Sequence, residues 1–234
     1  MLNISLLVAS LVGWVSLFNA IKWKWSLSTS STSYAVAFCH GVFASRAAEY
    51  SFYSEGILDV SKFGGQVSQL QNVIISISLA YFLYDFYICF VIGEALVIKC
   101  HHILSSIIFF WTLVAEKSGP EVTVFLWIGE FTNAFLNLRY YYQNSARFRG
   151  SMLAAINDVA FAVLFFVLRF GLGSFYIYHI LKGGARSLLA VKIGAVCFTA
   201  VNLSMGKTIF VESAKFLFPG AASDAGSSSG TKIE

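Results

Sequence analysis

Charged residues are scarce in this sequence. Asp, Glu, Lys and Arg make up 12% of the 234 residues, hydrophobic residues make up 57%, and the mean hydropathy is +0.72. Because a soluble domain carries about 25% charged residues, this composition excludes an ordinary soluble protein and indicates an integral membrane protein. The net charge is only +4, and the one short alternation of basic and aromatic residues, Lys22–Trp25 ("KWKW"), follows the first hydrophobic run and is typical of a membrane interface. We therefore expect no nucleic-acid partner.

Several signatures of common sites are also missing. No G-x-S-x-G sequence is present, so the chain lacks a serine-hydrolase nucleophile signature. It has only four histidines, and no two of them are four positions apart as in helical zinc sites. His179 also falls at the opposite end of the predicted spans from the other three. We therefore expect no bound metal and no bound cofactor.

The chain also lacks an internal repeat and a signal-peptide cleavage pattern. The absence of a repeat predicts a single transmembrane domain over residues 1–215. The Gly- and Ser-rich residues 216–234 that follow are predicted to form a disordered tail. Without a cleavage pattern, the first hydrophobic run is expected to stay in the protein as a membrane anchor.

Long hydrophobic runs are abundant. A membrane-spanning helix needs about 20 apolar residues, and seven segments satisfy or approach this length, so we predict an all-α multi-pass transmembrane bundle with six to seven spans. All four cysteines fall within these spans, where disulfide bonds are not expected. The predicted spans are Leu2–Ala20, Thr32–Ala48, Leu70–Ile92, Ala95–Ala115, Glu121–Tyr141, Ser151–Leu172 and Leu188–Glu212.

Polar residues in the third and fourth spans are predicted to lie at the same depth. The two spans meet at the sequence "IGEA", and Asp85 precedes this turn by about as many residues as His101 follows it. At 1.5 Å per residue, both lie roughly 12 Å from the turn. An aspartate and a histidine at equal depth on antiparallel neighbours can meet, so we expect Asp85 to contact His101. Adjacent His102 differs from His101 by about 100° around the helix axis, so only one imidazole is expected to face a cavity.

The same counting from the other turns places further polar residues in this layer. Residues Glu130, Asn133 and Asn137 have the i, i+3, i+7 spacing of one helix face. Ionisable residues inside spans are costly and face the bundle interior or a wet cavity, so the layer is predicted to be the functional site. The side chains expected to bind substrate there are His40, Glu130, Asn133, Asn137, Asn157, Asp158 and Asn202. An excess of Lys and Arg at the same side of the membrane weakly favours placing the layer toward the cytosol.

Four segments together resemble a known pattern. They read "YFLYDFYICF", "HHILSSIIFF", "WIGEFTNAFLNLRYYYQ" and "NDVAFAVLFFVLRF". This order resembles the TLC-domain family of multi-pass membrane proteins, which includes the ceramide synthases and a group of smaller TLC-domain proteins. The resemblance implies a role in the metabolism of membrane lipids and a location in the endoplasmic reticulum or another endomembrane.

The resemblance also implies site residues. It assigns catalytic roles to His101, His102 and Asp85. In ceramide synthases a His-Asp pair and a further Asp follow in the next span, whereas this chain has Glu130 and Asn133 there. That departure makes the chain more similar to the smaller TLC-domain proteins.

Three functions follow as hypotheses. The first is N-acyl transfer from acyl-CoA, as a co-substrate, to a sphingoid base, with a histidine as base or nucleophile. The second is non-catalytic binding or sensing of membrane lipids, which would control phospholipid composition. The third, suggested by Lys207 and Lys215 in the last span, is a retinal Schiff-base protein.

Overall fold

Helices account for nearly all of the regular structure. The computed structural model describes residues 2–183 and 186–217, with side chains described as far as residue 211. In these residues, helices α1 to α8 have the bounds Ile4–Trp25, Thr29–Glu55, Gln69–Val91, Leu96–Ala115, Gly119–Asn144, Met152–Leu164, Gly173–Lys182 and Leu189–Leu217. The predicted residues 216–234 of the tail fall almost entirely outside the described part of the chain.

The predicted all-α bundle is confirmed. A π-helical segment, Phe165–Leu172, joins α6 to α7, so that Met152–Lys182 is one continuous rod of 31 residues. The eight helices therefore form seven rods, one for each predicted span. The prediction ended the sixth span too early, at Leu172, and made the second much shorter than the 27 residues of α2.

The seven rods differ in their composition. Five are long and apolar enough to cross a membrane: Ile4–Trp25, Gln69–Val91, Leu96–Ala115, Met152–Lys182 and Leu189–Val211. The other two, α2 and α5, have 27 and 26 residues but carry more polar residues, and they pack closely against each other. Several of their polar side chains, among them His40, Glu130 and Thr132, are thus buried within the bundle and kept away from lipid.

Six rods form a closed ring. Going around it, α2 contacts α3, which contacts α4; α4 contacts α8, which contacts the α6–α7 rod; and that rod contacts α5, which returns to α2. The remaining helix, α1, packs across the outside of α2 and α3. The ring surrounds an interior into which polar residues of several helices project.

A glycine allows the close approach of α2 and α5. A Cβ on Gly41 would lie 3.1 Å from the backbone oxygen of Glu130, a tighter contact than side chains usually make. The absence of a side chain at Gly41 therefore lets the two backbones come together. This approach places neighbouring His40 against Glu130.

The loop between α2 and α3 closes one end of the ring. Within it, the backbone N–H of Gly64 donates to both carboxylate oxygens of Glu121, at 2.9 and 3.0 Å. Ser118 donates a backbone hydrogen bond to the carbonyl of Gly65 at 2.7 Å. Gly64 has φ +79°, and a Cβ there would collide with the backbone of Arg186. The loop is thus held to the helix ends by close backbone packing.

In the described residues the only extended pairing is an isolated bridge between Gln66 and Lys117. All four cysteines are free, as their predicted positions inside spans require.

Candidate functional site

Asp85 and His102 form a buried pair between α3 and α4. The Nε2 atom of His102 lies 3.2 Å from Oδ2 of Asp85, and both side chains are almost completely buried. Ser33 on α2 donates a longer hydrogen bond, 3.5 Å, to the other carboxylate oxygen. We expected Asp85 to contact His101, and this expectation is wrong by one residue, because its partner is His102. The depth of the histidines was predicted correctly, but moving one residue along a helix rotates the side chain by about 100° around the axis.

His101 instead faces a cavity in the ring. Its ring centre lies 5.6 Å from that of His102 and 6.1 Å from that of Phe82. The two adjacent imidazoles therefore point in different directions, as the helix geometry predicted. One is fixed to a carboxylate, and the other is available to a ligand in the cavity.

The cavity is long and mostly apolar. The cavity volume is about 90 Å³, and about 760 Å³ is reached only when the open space at its mouth is counted. Glu130, Asn133, Arg169 and His101 make up most of its polar lining. The apolar wall is lined by Phe82, Leu104, Ile108, Phe109, Val122, Phe125, Leu126, Ile180, Val191, Ala195, Phe198 and Val201.

The polar and apolar parts of the cavity are separated along the helix axes. On α5 the lining runs from Val122 to Asn133, which at 1.5 Å per residue is about 16 Å. On α4 it runs from His101 to Phe109, about 12 Å. The polar groups occur at one end of these stretches. The cavity is therefore complementary in shape and polarity to an amphiphile with a single chain.

His40 connects α2 to the wall of the cavity. Its Nδ1 lies 3.2 Å from Oε2 of Glu130, and its Nε2 lies 3.2 Å from Oγ of Ser78. The ring stacks on Tyr81 with centres 3.7 Å apart and an angle of 8° between the planes. His40 is fully buried. It therefore holds Glu130 in position and is not itself exposed to a ligand.

Arg169 projects inward from the π-helical segment. Its guanidinium donates to Oδ1 of Asn133 at 2.8 Å and to Oδ1 of Asn202 at 3.1 Å. Asn133 in turn donates to Oε1 of Glu130 at 3.2 Å. Phe165 and Phe198 lie over the guanidinium at 5.2 and 5.6 Å. A continuous hydrogen-bonded chain thus runs from His40 on α2 to Asn202 on α8.

The predicted layer is only partly assembled. The structure brings together His40, Asp85, His101, His102, Glu130, Asn133 and Asn202. Asn137 is buried but does not line the cavity, because it lies one helical turn, about 6 Å, beyond Asn133. Asn157 donates to the backbone oxygen of Phe135, and Asp158 forms a partly exposed ion pair with Arg139 at 3.3 Å. The structure therefore does not bring Asn137, Asn157 and Asp158 to the cavity with the other predicted residues.

Some site residues were not predicted. Arg169 falls deep within the sixth predicted span, but the π-helix that orients it has no sequence signal that we recognise. Cys89 was also missed. It lies four residues after Asp85 on α3, and ligand atoms of Asp85, Cys89 and His102 all lie within 4.8 Å of one another. These three side chains could hold a metal ion, since carboxylate, thiolate and imidazole all bind zinc.

The retinal hypothesis has no support in the described part of the last helix. The side chain of Lys207 lies on the exposed face of α8 and does not line the cavity. The side chain of Lys215 lies outside the described residues.

Comparison with known proteins identifies the domain. A family model of the TLC domain matches residues 22–216. The chain belongs to the TLC-domain family. No solved structure matches it. The matched part begins near the end of α1 and includes every rod of the closed ring, so the TLC domain is the ring, and most of α1 precedes it.

Proposed function

We propose that this protein acts in membrane-lipid metabolism, in the endoplasmic reticulum or another endomembrane, by holding an acyl chain in the cavity of its TLC domain. The observation that carries the proposal is the position of His101. Its imidazole lies where the polar end of the cavity meets the apolar wall. A lipid bound with its chain along that wall would present its carbonyl group beside this imidazole.

The chemistry that suits this arrangement is acyl transfer. The imidazole of His101 attacks the thioester carbonyl of acyl-CoA, a C–N bond forms, the C–S bond breaks, and coenzyme A leaves as the thiolate. The imidazole N–H proton passes to that thiolate. An amine-bearing lipid such as a sphingoid base then attacks the acyl-imidazole, the amide forms, and the amine returns a proton to the imidazole. Asp85 and His102 form a positioning pair that fixes the start of α4.

The test uses purified protein in lipid nanodiscs with labelled acyl-CoA and a sphingoid base. We expect a labelled amide with the native protein and at least a hundredfold slower formation with His101→Gln. His179→Gln is the matched control, because His179 does not line the cavity, and it should leave the rate unchanged. Failure to form an amide or an acyl-protein adduct over a range of chain lengths and amines would contradict the catalytic proposal.

A specific observation favours a second function, non-catalytic lipid binding. Both carboxylates near the cavity already contact imidazoles, Asp85 that of His102 and Glu130 that of His40. No carboxylate among the described residues contacts His101, so a base to activate it is not in place. If the protein binds lipid without catalysis, native mass spectrometry should find one lipid per chain, and no product should form. Deletion of the protein should then change the acyl composition of the cell's phospholipids.

A further inference from the structure

The polar end of the cavity contains one fixed positive charge and one fixed negative charge. Arg169 and Glu130 both line it, and each is 5% exposed. Asn133 lies between them and bridges them, because it accepts from Arg169 and donates to Glu130. The two charges are thus held a fixed distance apart and do not collapse into a direct ion pair.

The guanidinium of Arg169 is bonded only to neutral groups in the described part of the chain. Nε donates to Thr132, Nη1 to Asn202, and Nη2 to Asn133 and to the backbone oxygen of Gly129. A guanidinium has five N–H groups, so these four bonds leave one Nη1 hydrogen for a ligand. A buried charge of this kind is stabilised when an anion approaches it.

The carboxylate of Glu130 also has capacity to spare. It accepts one bond at each oxygen, from His40 and from Asn133. An ionised carboxylate offers about four acceptor positions. Two of them therefore remain for a donor in the cavity, and a ligand ammonium group would use them while compensating the negative charge.

We propose that the cavity selects a lipid whose head group is zwitterionic, with a phosphate next to an ammonium group. The phosphate lies at Arg169, the ammonium at Glu130, and the acyl chain extends along the apolar wall. This inference rests on the proposed function, since it names the class of lipid that the same cavity binds. A lipid with only an ammonium group would leave the positive charge of Arg169 without a counter-charge. A lipid with only a phosphate group would leave the negative charge of Glu130 without one.

The binding test compares four probes that carry the same acyl or alkyl chain. They are a lysophospholipid with a phosphoethanolamine head, lysophosphatidic acid, a monoacylglycerol and a sphingoid base. Each is added to the purified full chain in detergent, and its occupancy is measured by native mass spectrometry. We expect the phosphoethanolamine probe to bind at least about fivefold more tightly than each of the others, a difference of about 1 kcal/mol.

Two substitutions make the test specific to charge. Glu130→Gln should shift the preference toward lysophosphatidic acid, and Arg169→Gln should shift it toward the sphingoid base. A loss of folding would not produce two shifts in opposite directions. Matched controls remove charges that do not line the cavity, Glu94→Gln and Arg139→Gln, and they should leave the preference as it is in the native protein.

The possible failures are distinguishable. If the native protein binds all four probes equally, the charge inference is wrong, while binding of lipid in the cavity stands. If none of the four binds, the proposed function is wrong as well. The probe series on the native protein decides both questions even where a substituted chain does not fold.

Discussion

Asp85 and His102 face each other across α3 and α4, with Oδ2 and Nε2 3.2 Å apart. His101, the next residue, lines the cavity instead. Two chemically identical side chains that are adjacent in the sequence therefore have different environments. One is part of the structure that holds the site together, and the other is in a position to contact a ligand.

Substitution of the two histidines should separate stability from function. His102→Gln removes the partner of a buried carboxylate and should lower the free energy of unfolding by on the order of 3 kcal/mol. His101→Gln should change it by less than about 1 kcal/mol, because no side chain in the described part of the chain loses a hydrogen-bond or ion-pair partner, but it should weaken lipid binding or acyl transfer. Titration with a denaturing detergent measures the stability of each variant. The reverse pattern, with His101→Gln the less stable protein, would show that the pairing is assigned to the wrong imidazole.

Filling the apolar end of the cavity should shorten the lipid chain that it accepts. Val191 lines the end opposite to His101, and Val191→Phe would occupy that space at a cost in stability of about 1–3 kcal/mol. Mass spectrometry of the lipid bound to the purified protein should then show shorter chains. Val196→Phe is the control, since Val196 lies on the outer face of the same helix and is 56% exposed. An unchanged chain length with Val191→Phe would mean that the chain does not follow this wall.

Two glycines with positive φ should respond differently to alanine. Gly64 has φ +79° and Gly93 has φ +74°, so a side chain is strained at both. That strain costs on the order of 1 kcal/mol, and nothing lies within 4 Å of a Cβ at Gly93. At Gly64 the Cβ would also collide with the backbone of Arg186, so the loss should be larger, about 2–4 kcal/mol in all. Thermal unfolding in detergent measures both, and equal losses would contradict the close packing of the loop.

The contact between α4 and α8 should depend on Gly194. A Cβ there would overlap the side chain of Ile108, so Gly194→Ala should destabilise the protein by about 1–3 kcal/mol. Combining it with Ile108→Ala should cost less than the sum of the single changes, with a coupling of at least about 0.5 kcal/mol. Gly13→Ala is the control, because α1 has open space at that position. Additive effects of the two substitutions would indicate that these helices do not meet there.

Much of the fold was predictable from local properties of the chain. Hydrophobic runs near 20 residues predicted each rod, and the short turn at Gly93 made α3 and α4 antiparallel neighbours. Because the rise per residue of a helix is constant, counting from that turn placed Asp85 and the two histidines near one depth. The resemblance of four segments to the TLC-domain family agreed with the match over residues 22–216.

The sequence predicted the helix bounds least well for the segment with the fewest apolar residues. The polar residues of α2 made its predicted span short, yet it is a helix of 27 residues that packs against α1, α3 and α5. Hydropathy measures the average affinity of a segment for lipid. It does not register that a helix surrounded by other helices can retain polar side chains by pairing them with one another.

The sequence by itself determined the class of protein, the number of helical rods, and the depth at which the histidines and acidic residues lie. Only the tertiary structure decided which of them meet. Length and hydropathy are properties of each segment alone, whereas the rotation of a helix about its axis is fixed by packing against its neighbours. That rotation directs His102 to Asp85 and His101 to the cavity, and the π-helical segment turns Arg169 toward Asn202.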